Sequence, residues 1–270
     1  MFLVNYLTQP KITFPAKINY EFESHIARLL DEAGVPNVMW GEPYLGIIGS
    51  STAFFQGRDK CPTFDKRITH PYPDYHFHTD LAYPEAWPKF SAGVHLYKKS
   101  RLFWEFPDPA LGPAPPSDPY YMLVGDPRIQ PDNHNVRDSR QPKLAGLYPV
   151  KMPVPERYAE AMILLQLRDS RGHGSLGHWQ AELLYLLDPT QIRGLNLDFH
   201  GLRTPFREYA VARSTEGAVV GHRVLYQVFL EMNRAKRIPP PDRPWEAGLG
   251  REWSDVLREY KILFNQSDLE

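Results

Sequence analysis

The chain predicts an α+β protein, and three observations predict it. Short segments with alternating, β-favouring residues lie before residue 125. Longer segments with apolar residues at helical spacing dominate after residue 150. The proline-rich runs 106–119 and 238–244 interrupt the chain where neither a helix interior nor a central strand can continue. Strands gathered ahead of helices, rather than alternating with them, indicate α+β.

The first helix is "EFESHIARLLDEAG". Phe22, Ile26, Leu29, Leu30 and Ala33 share one face, Gly34 suits the C-terminal cap, and Pro36 stops continuation. "NVMWGEPYLGIIGSSTAFF" reads as a strand-like start, a glycine turn and a short apolar stretch. "YHFHTD", "GVHLYKK" and "RLFWEF" alternate and read as three strands, with Leu102, Trp104 and Phe106 on one face of the last. "YYMLVGDPRI" is a short strand leading into a polar loop. A strong helix starts at "VPERYAEAMILLQLRDSRG", where Pro155 fits the first turn. Three more helices follow in "SLGHWQAELLYLLDP", "AVVGHRVLYQVFLEMNRAKR" and "REWSDVLREYKILF". The expected organisation is an extension at 1–19, an α+β core at 20–150 and a helical part at 151–270.

Bulk properties narrow the function classes. With 31 basic and 32 acidic side chains the chain carries a formal charge of -1, which gives no clear signal for nucleic acid. The single cysteine, Cys61, excludes an internal disulfide and a Cys-rich zinc module. It stands beside Pro62 with no helix start behind it to lower its pKa, so a cysteine nucleophile is not expected. "MFLVNYLTQP" is a poor signal peptide, and no apolar run approaches the roughly 20 residues that cross a bilayer. A soluble, intracellular protein in the cytoplasm, without a membrane partner, is expected. The 27 prolines are about twice the usual share of roughly 5%.

Two stretches, "VPNVMWGEPYLGIIGSSTAFF" and "YPVKMPVPERYAEAMILLQLRD", resemble a group of uncharacterised fungal proteins with a nucleotidyltransferase-like fold. That group is distantly similar to small antibiotic nucleotidyltransferases. "HFHTD", "VHLYKKSRLFWEFP" and "YMLVGDPRI" lie between them in the expected order, and the resemblance covers roughly residues 20–190. It implies a mixed β-sheet flanked by helices, a nucleotide as ligand, Mg as cofactor and a small molecule as acceptor. In such a fold backbone amides at a glycine turn meet the phosphates. Two carboxylates one residue apart on a strand then hold the metal. Carried onto this chain, Gly41 occupies the first glycine turn and Gly49-Ser50 the second small-residue position. The positions expected to carry the carboxylate pair are Gln56 and Arg58. Asp59 is one step out of phase, which would turn it to the other strand face. The resemblance therefore implies a divergent transferase or a degenerate nucleotide binder, a pseudoenzyme, in which Arg58 meets phosphate without metal. Asp59 and Asp80 are the carboxylates left for catalysis, and Lys151, just before the long helix, is the best single lysine for a phosphate.

"DYHFHTD" supports a different chemistry. On a strand His76 and His78 face the same way about 7 Å apart, with Asp74 and Asp80 on that face and Phe77 opposite. His76, His78 and Asp80 form a two-histidine, one-carboxylate set that suits Zn or Fe, in a hydrolase or oxygenase. H-x-H is a common motif, and a solvated polar strand face is the plainer reading. Gly49 to Thr52 lacks the Gly-Lys-Ser/Thr ending of a P-loop, so a plain turn competes with a phosphate cradle there. Lys98, Lys99, Arg101, Arg168 and Arg171 offer a basic surface for a triphosphate, against an ordinary solvated loop. Trp40, Trp87, Trp104 and Trp179 offer stacking for a base, against ordinary packing. No G-x-S-x-G elbow supports a serine hydrolase. A third reading is a non-catalytic interaction protein that uses its proline-rich segments.

Overall fold

A computed structural model of the chain describes residues 15, 20–48, 73–78, 93–130, 146–169, 176–190, 192 and 194–240. Helix α1 spans Tyr20–Glu32 and opens with Glu21 and Glu23, whose charge favours a helix N-terminus. It ends in a Schellman turn. Gly34 takes φ 72°, and the Val35 N–H reaches back to the Leu30 carbonyl at 2.8 Å. The buried residues are Tyr20, Phe22, Ser24 and Ala27; of the apolar face that spacing suggests, Phe22 is buried, Ile26, Leu29 and Leu30 are half-buried and Ala33 is exposed.

Helix α2 follows at Glu42–Ile47, and strands β1, Tyr75–His78, and β2, Gly93–Leu96, pair antiparallel. "RLFWEF" is not a strand. Lys99–Leu102 is a helical turn, α3, which buries Arg101 and Leu102, and Phe103 and Phe106 after it are buried as well. The Phe106 N–H bonds back to the Phe103 carbonyl in a turn, and the alternation of Leu102, Trp104 and Phe106 that suggested a strand is incidental. Strand β3, Tyr121–Leu123, pairs antiparallel with β4, Lys151–Pro153, with Met122 opposite Met152. In place of one mixed sheet, the described residues form two separate two-stranded antiparallel sheets. The coarser class, α+β, holds.

Helix α4, Pro155–Asp169, is the centre of the molecule. Ala159, Ala161, Met162, Ile163, Leu164, Leu165 and Leu167 are all buried, so this helix is covered on every side. Each aliphatic side chain placed there contributes about 1.5–3 kcal/mol relative to exposure. Against it packs α5, Leu176–Leu187, while α6, Phe206–Thr215, reaches it through the Tyr209 hydroxyl, which donates to Gln166, and packs in turn on α7, Ala218–Arg234. One continuous core draws on both sides of residue 150, joining Tyr44, Ile48, Phe103 and Met122 to Leu165, Phe206 and Leu225. The helix expected in "REWSDVLREYKILF" lies outside the described residues.

A helix buried all round must find partners for its polar groups. Glu160, fully buried, accepts from the Arg203 backbone N–H at 2.7 Å and the Arg203 Nε at 2.8 Å. Arg157, one turn back, pairs with the same carboxylate and donates to the Gly201 carbonyl at 2.9 Å. The chain between α5 and α6, including a 3₁₀ turn at Phe199–Gly201, is thereby tied to α4.

Candidate functional site

Residues 37–40 carry no regular secondary structure, and the Met39 N–H among them donates to the β4 carbonyl of Lys151 at 2.8 Å. Gly41 then takes φ 75° and ψ -147°, and α2 begins. That backbone conformation belongs essentially to glycine. A glycine with positive φ thus stands directly before a helix start, and the strand-like segment expected ahead of it is not a strand. The hydroxyl of Tyr158 on α4 donates to the buried Glu182 of α5. Tyr44 stacks on Tyr158 with ring centroids 3.9 Å apart, and Trp40 leans on Tyr158 at 4.5 Å. Burial first, and the Glu182 carboxylate second, hold the Tyr158 hydroxyl well above its ordinary pKa. Burial does the same for Tyr44, with Glu156 adding to it. Both phenols therefore stay protonated through the physiological range.

Gly41 supplies conformation to this turn. A Cβ there would meet nothing within 4 Å, so the cost of a side chain is confined to the backbone. Gly41→Ala is expected to destabilise the fold by about 1–3 kcal/mol, the usual cost of such a conformation without glycine. Denaturant unfolding of the variant checks this.

Lys151 does not reach a surface where phosphate would bind. On β4 its side chain is buried, and its ammonium lies 3.2 Å from both carboxylate oxygens of Asp31 on α1. It also donates to the Ala110 carbonyl at 2.8 Å and the Gly112 carbonyl at 2.6 Å. Asp31 accepts further from the Tyr148 hydroxyl at 2.7 Å, the Gly112 N–H at 3.0 Å and Asn37 at 2.9 Å. The ammonium is enclosed by acceptors, and the expectation of a phosphate contact from Lys151 is corrected accordingly. What it binds is the proline-rich connection.

The basic cluster is likewise internal at two of its members. Arg101 is buried and bonds Asp74 at 2.9 Å. Arg168 is buried, bonds Asp169 at 2.6 Å and donates to the Arg101 carbonyl. Asp169 also accepts from the Trp179 indole at 2.8 Å, and the Trp104 indole donates to the Arg237 carbonyl at 2.9 Å. Arg101 and Arg168 are therefore structural cations, and Trp104 and Trp179 are packing residues. Lys98 is exposed, whereas Lys99 pairs with Asp108 at 3.0 Å.

The β1–β2 ladder carries the histidine motif. His76 lies opposite His95, and His78 opposite Gly93. Asp74, one position before β1, accepts from the Lys98 N–H at 2.8 Å as well as from Arg101. Its carboxylate is committed to this corner, and it does not join His76 and His78 as a ligand. Among the residues whose side chains are described, no group of three His, Cys, Asp or Glu is placed to hold a metal ion. The side chains of His76 and His78 are not among them. Gly49, Ser50, Gln56, Arg58, Asp59, Cys61, Asp80, Trp87 and Arg171 lie outside the described residues.

Ile48, directly after α2, accepts at its carbonyl from the Gly194 N–H at 2.9 Å, and the Gln130 N–H donates to the Gly194 carbonyl at 2.8 Å. Residues 48 and 130, far apart in sequence, are thus bridged by Gly194. Sequence reasoning did not find this junction, because no local pattern marks a backbone contact between residues 48, 130 and 194. The Tyr158–Glu182 pair was missed too, because no local pattern marks a hydrogen bond between a residue of α4 and one of α5. No helix among the described residues is long and apolar enough to cross a membrane. No protein-family model matches the chain, and no curated protein and no solved structure gives a significant match.

Proposed function

We propose that this chain binds a nucleotide through its phosphates, as a divergent or degenerate protein of nucleotidyltransferase type. The observation that carries the reading is the turn at Trp40–Gly41. A segment bonded to β4 through the Met39 N–H, a glycine at φ 75° and the start of α2 follow one another there, and the same stretch carries the resemblance. Gly49, Ser50 and Arg58 are the proposed phosphate contacts, the first two immediately beyond the α2 end that Gly194 anchors. Arg58, at a position where the resemblance expects a metal-binding carboxylate, supplies a fixed positive charge in place of a cation. Substrate and acceptor classes are a nucleoside triphosphate and, if transfer occurs, a small molecule.

Calorimetric titration with ATP, GTP, CTP and UTP, each with and without magnesium, tests this. The expected result is binding of at least one nucleotide without magnesium. Arg58→Ala should weaken it roughly 10–100-fold, since a charge-assisted hydrogen bond contributes about 1.5–3 kcal/mol. Unchanged affinity in that variant removes Arg58 from the site. Binding that needs magnesium would instead assign Asp59 and Asp80 to a rebuilt metal site and call for a turnover assay. Failure of all four nucleotides to bind overturns the reading.

A further inference from the structure

We infer that "LGPAPP", residues 111–116, is a docking ridge for a partner domain with an aromatic-lined, proline-reading groove of the SH3 or WW kind. The ring of Pro113 fixes its φ, and Ala114 and Pro115 each precede a proline, which disfavours the helical region for both. Local sterics therefore hold 113–115 in extended, polyproline II backbone, which turns once every three residues and so has three edges. Ala114 is buried, whereas Pro113, Pro115 and Pro116 are exposed. One edge thus faces the body of the protein. The other two face solvent, one carrying Pro113 and Pro116 and the next carrying Pro115. Pro113 and Pro116 lie about 9 Å apart along their shared edge, the P-x-x-P spacing that such grooves read. Leu111, just ahead of them, is 53% exposed and extends the apolar ridge.

The ridge is held at both ends before any partner arrives. Ahead of it the Lys151 ammonium holds the Ala110 and Gly112 carbonyls, and the Gly112 N–H donates to Asp31. Behind it the Asp118 N–H closes a turn on the Pro115 carbonyl at 3.0 Å. The Asp118 carboxylate in turn accepts from the Tyr120 and Tyr121 N–H groups at 2.8 and 3.0 Å. Little conformational entropy is left to lose on binding, which favours a partner that takes the chain as it stands. Three prolines without N–H groups rule out the alternative of adding this stretch as a strand to a partner's sheet edge. Asp118 is the first charge after the ridge, so a basic groove rim is the complementary one on that side. The ridge shares no residue with the proposed nucleotide contacts, and the two readings stand or fall separately.

The test titrates the full-length protein into a panel of purified SH3 and WW domains, with the fluorescence of each domain's groove tryptophan as the readout. At least one domain should bind. Pro116→Ala should weaken that binding roughly tenfold or more, as for a side chain that fills a pocket at the centre of an interface. Pro240→Ala, in the other proline-rich run, should leave it unchanged. Urea unfolding checks that Pro116→Ala keeps its fold. A measurement on the unaltered protein stands beside the variants: the bound domain should slow hydrogen exchange at the amides of Leu111, Ala114 and Ser117. Failure of the whole panel to bind overturns the proposal, as does wild-type affinity in Pro116→Ala or protection confined to another part of the chain. Self-association that Pro116→Ala abolishes would seat a second copy on the ridge and equally overturn it.

Discussion

Glu160→Ala is expected to lower the unfolding free energy by about 3–5 kcal/mol, the usual consequence of removing one partner from a buried ion pair. The carboxylate is fully buried and serves two guanidinium groups, Arg157 and Arg203. Without it, two cations remain beside an apolar helix. Arg203 also lies over the rings of Phe106 and Phe206, at 5.4 and 5.7 Å, which softens the loss without replacing a counter-charge. The backbone N–H of Arg203 loses its acceptor as well. Glu160→Gln separates these contributions, because it keeps the volume and one acceptor while removing the charge. Urea unfolding should order the proteins wild type, then Gln, then Ala. A loss below about 1 kcal/mol for the alanine variant would place this carboxylate in the range of exposed pairs and refute the buried-tie account.

The effect reaches beyond α4. Arg157 holds the Gly201 carbonyl, and Arg207 holds the carbonyls of His200 and Leu202 at 2.7 Å each. The connection between α5 and α6 is therefore fixed by guanidinium groups on carbonyls and by Glu160. This is also why that part of the chain resisted sequence reading. "GLRTPFREYAVARST" alternates charged and apolar residues without a clear stripe, and its helix, α6, buries Phe206, Tyr209, Ala210 and Ala212. The tertiary ties select the helix there, and local propensity does not announce it.

Elsewhere the sequence was more readable, for identifiable reasons. Helices α1, α4, α5 and α7 carry strong apolar periodicity, or a proline at the start and a glycine at the end, and each formed where those signals stand. The β1–β2 and β3 segments were legible from β-favouring residues, but their partners were not, since pairing register is not a local property. "RLFWEF" misled because its three apolar residues at spacing two lie on a helical turn and the turn that follows it. For the candidate site, the glycine at 41 was legible as a turn, whereas the packing of Trp40 and Tyr44 on Tyr158 was not. The largest misreading concerned charge. Arg101, Lys151 and Arg168 look like surface cations in the sequence, and each is buried. A sequence gives the cation, and only the fold supplies Asp74, Asp31 and Asp169 around it.

Lys151 makes that difference measurable. Lys151→Met keeps the aliphatic stem and removes the ammonium, leaving Asp31 buried with the Tyr148 hydroxyl, the Gly112 N–H and Asn37 still donating to it. Three remaining donors stabilise the carboxylate in part, so a loss of about 3 kcal/mol is expected, the low end for a broken buried pair. Asp31→Ala is the harsher change. It leaves the ammonium facing only the carbonyls of Ala110 and Gly112, and it strips the acceptor from Tyr148, Gly112 and Asn37 together. A loss of about 5 kcal/mol is expected there. The order of the two, with Asp31→Ala costlier, follows from donor counting and is checked by denaturant unfolding of both variants. A phosphate contact through Lys151 predicts the opposite pattern: Lys151→Met would weaken nucleotide binding and leave stability unchanged. The buried clasp predicts lost stability, with the affinity of the remaining folded protein unaltered. Because Lys151 holds the proline-rich connection at Ala110 and Gly112 against α1, its loss should also expose residues 107–115 to proteolysis ahead of global unfolding. Cleavage confined to that stretch in Lys151→Met, and absent from the wild-type protein under the same conditions, would identify the ammonium as the tie that keeps the connection against the body.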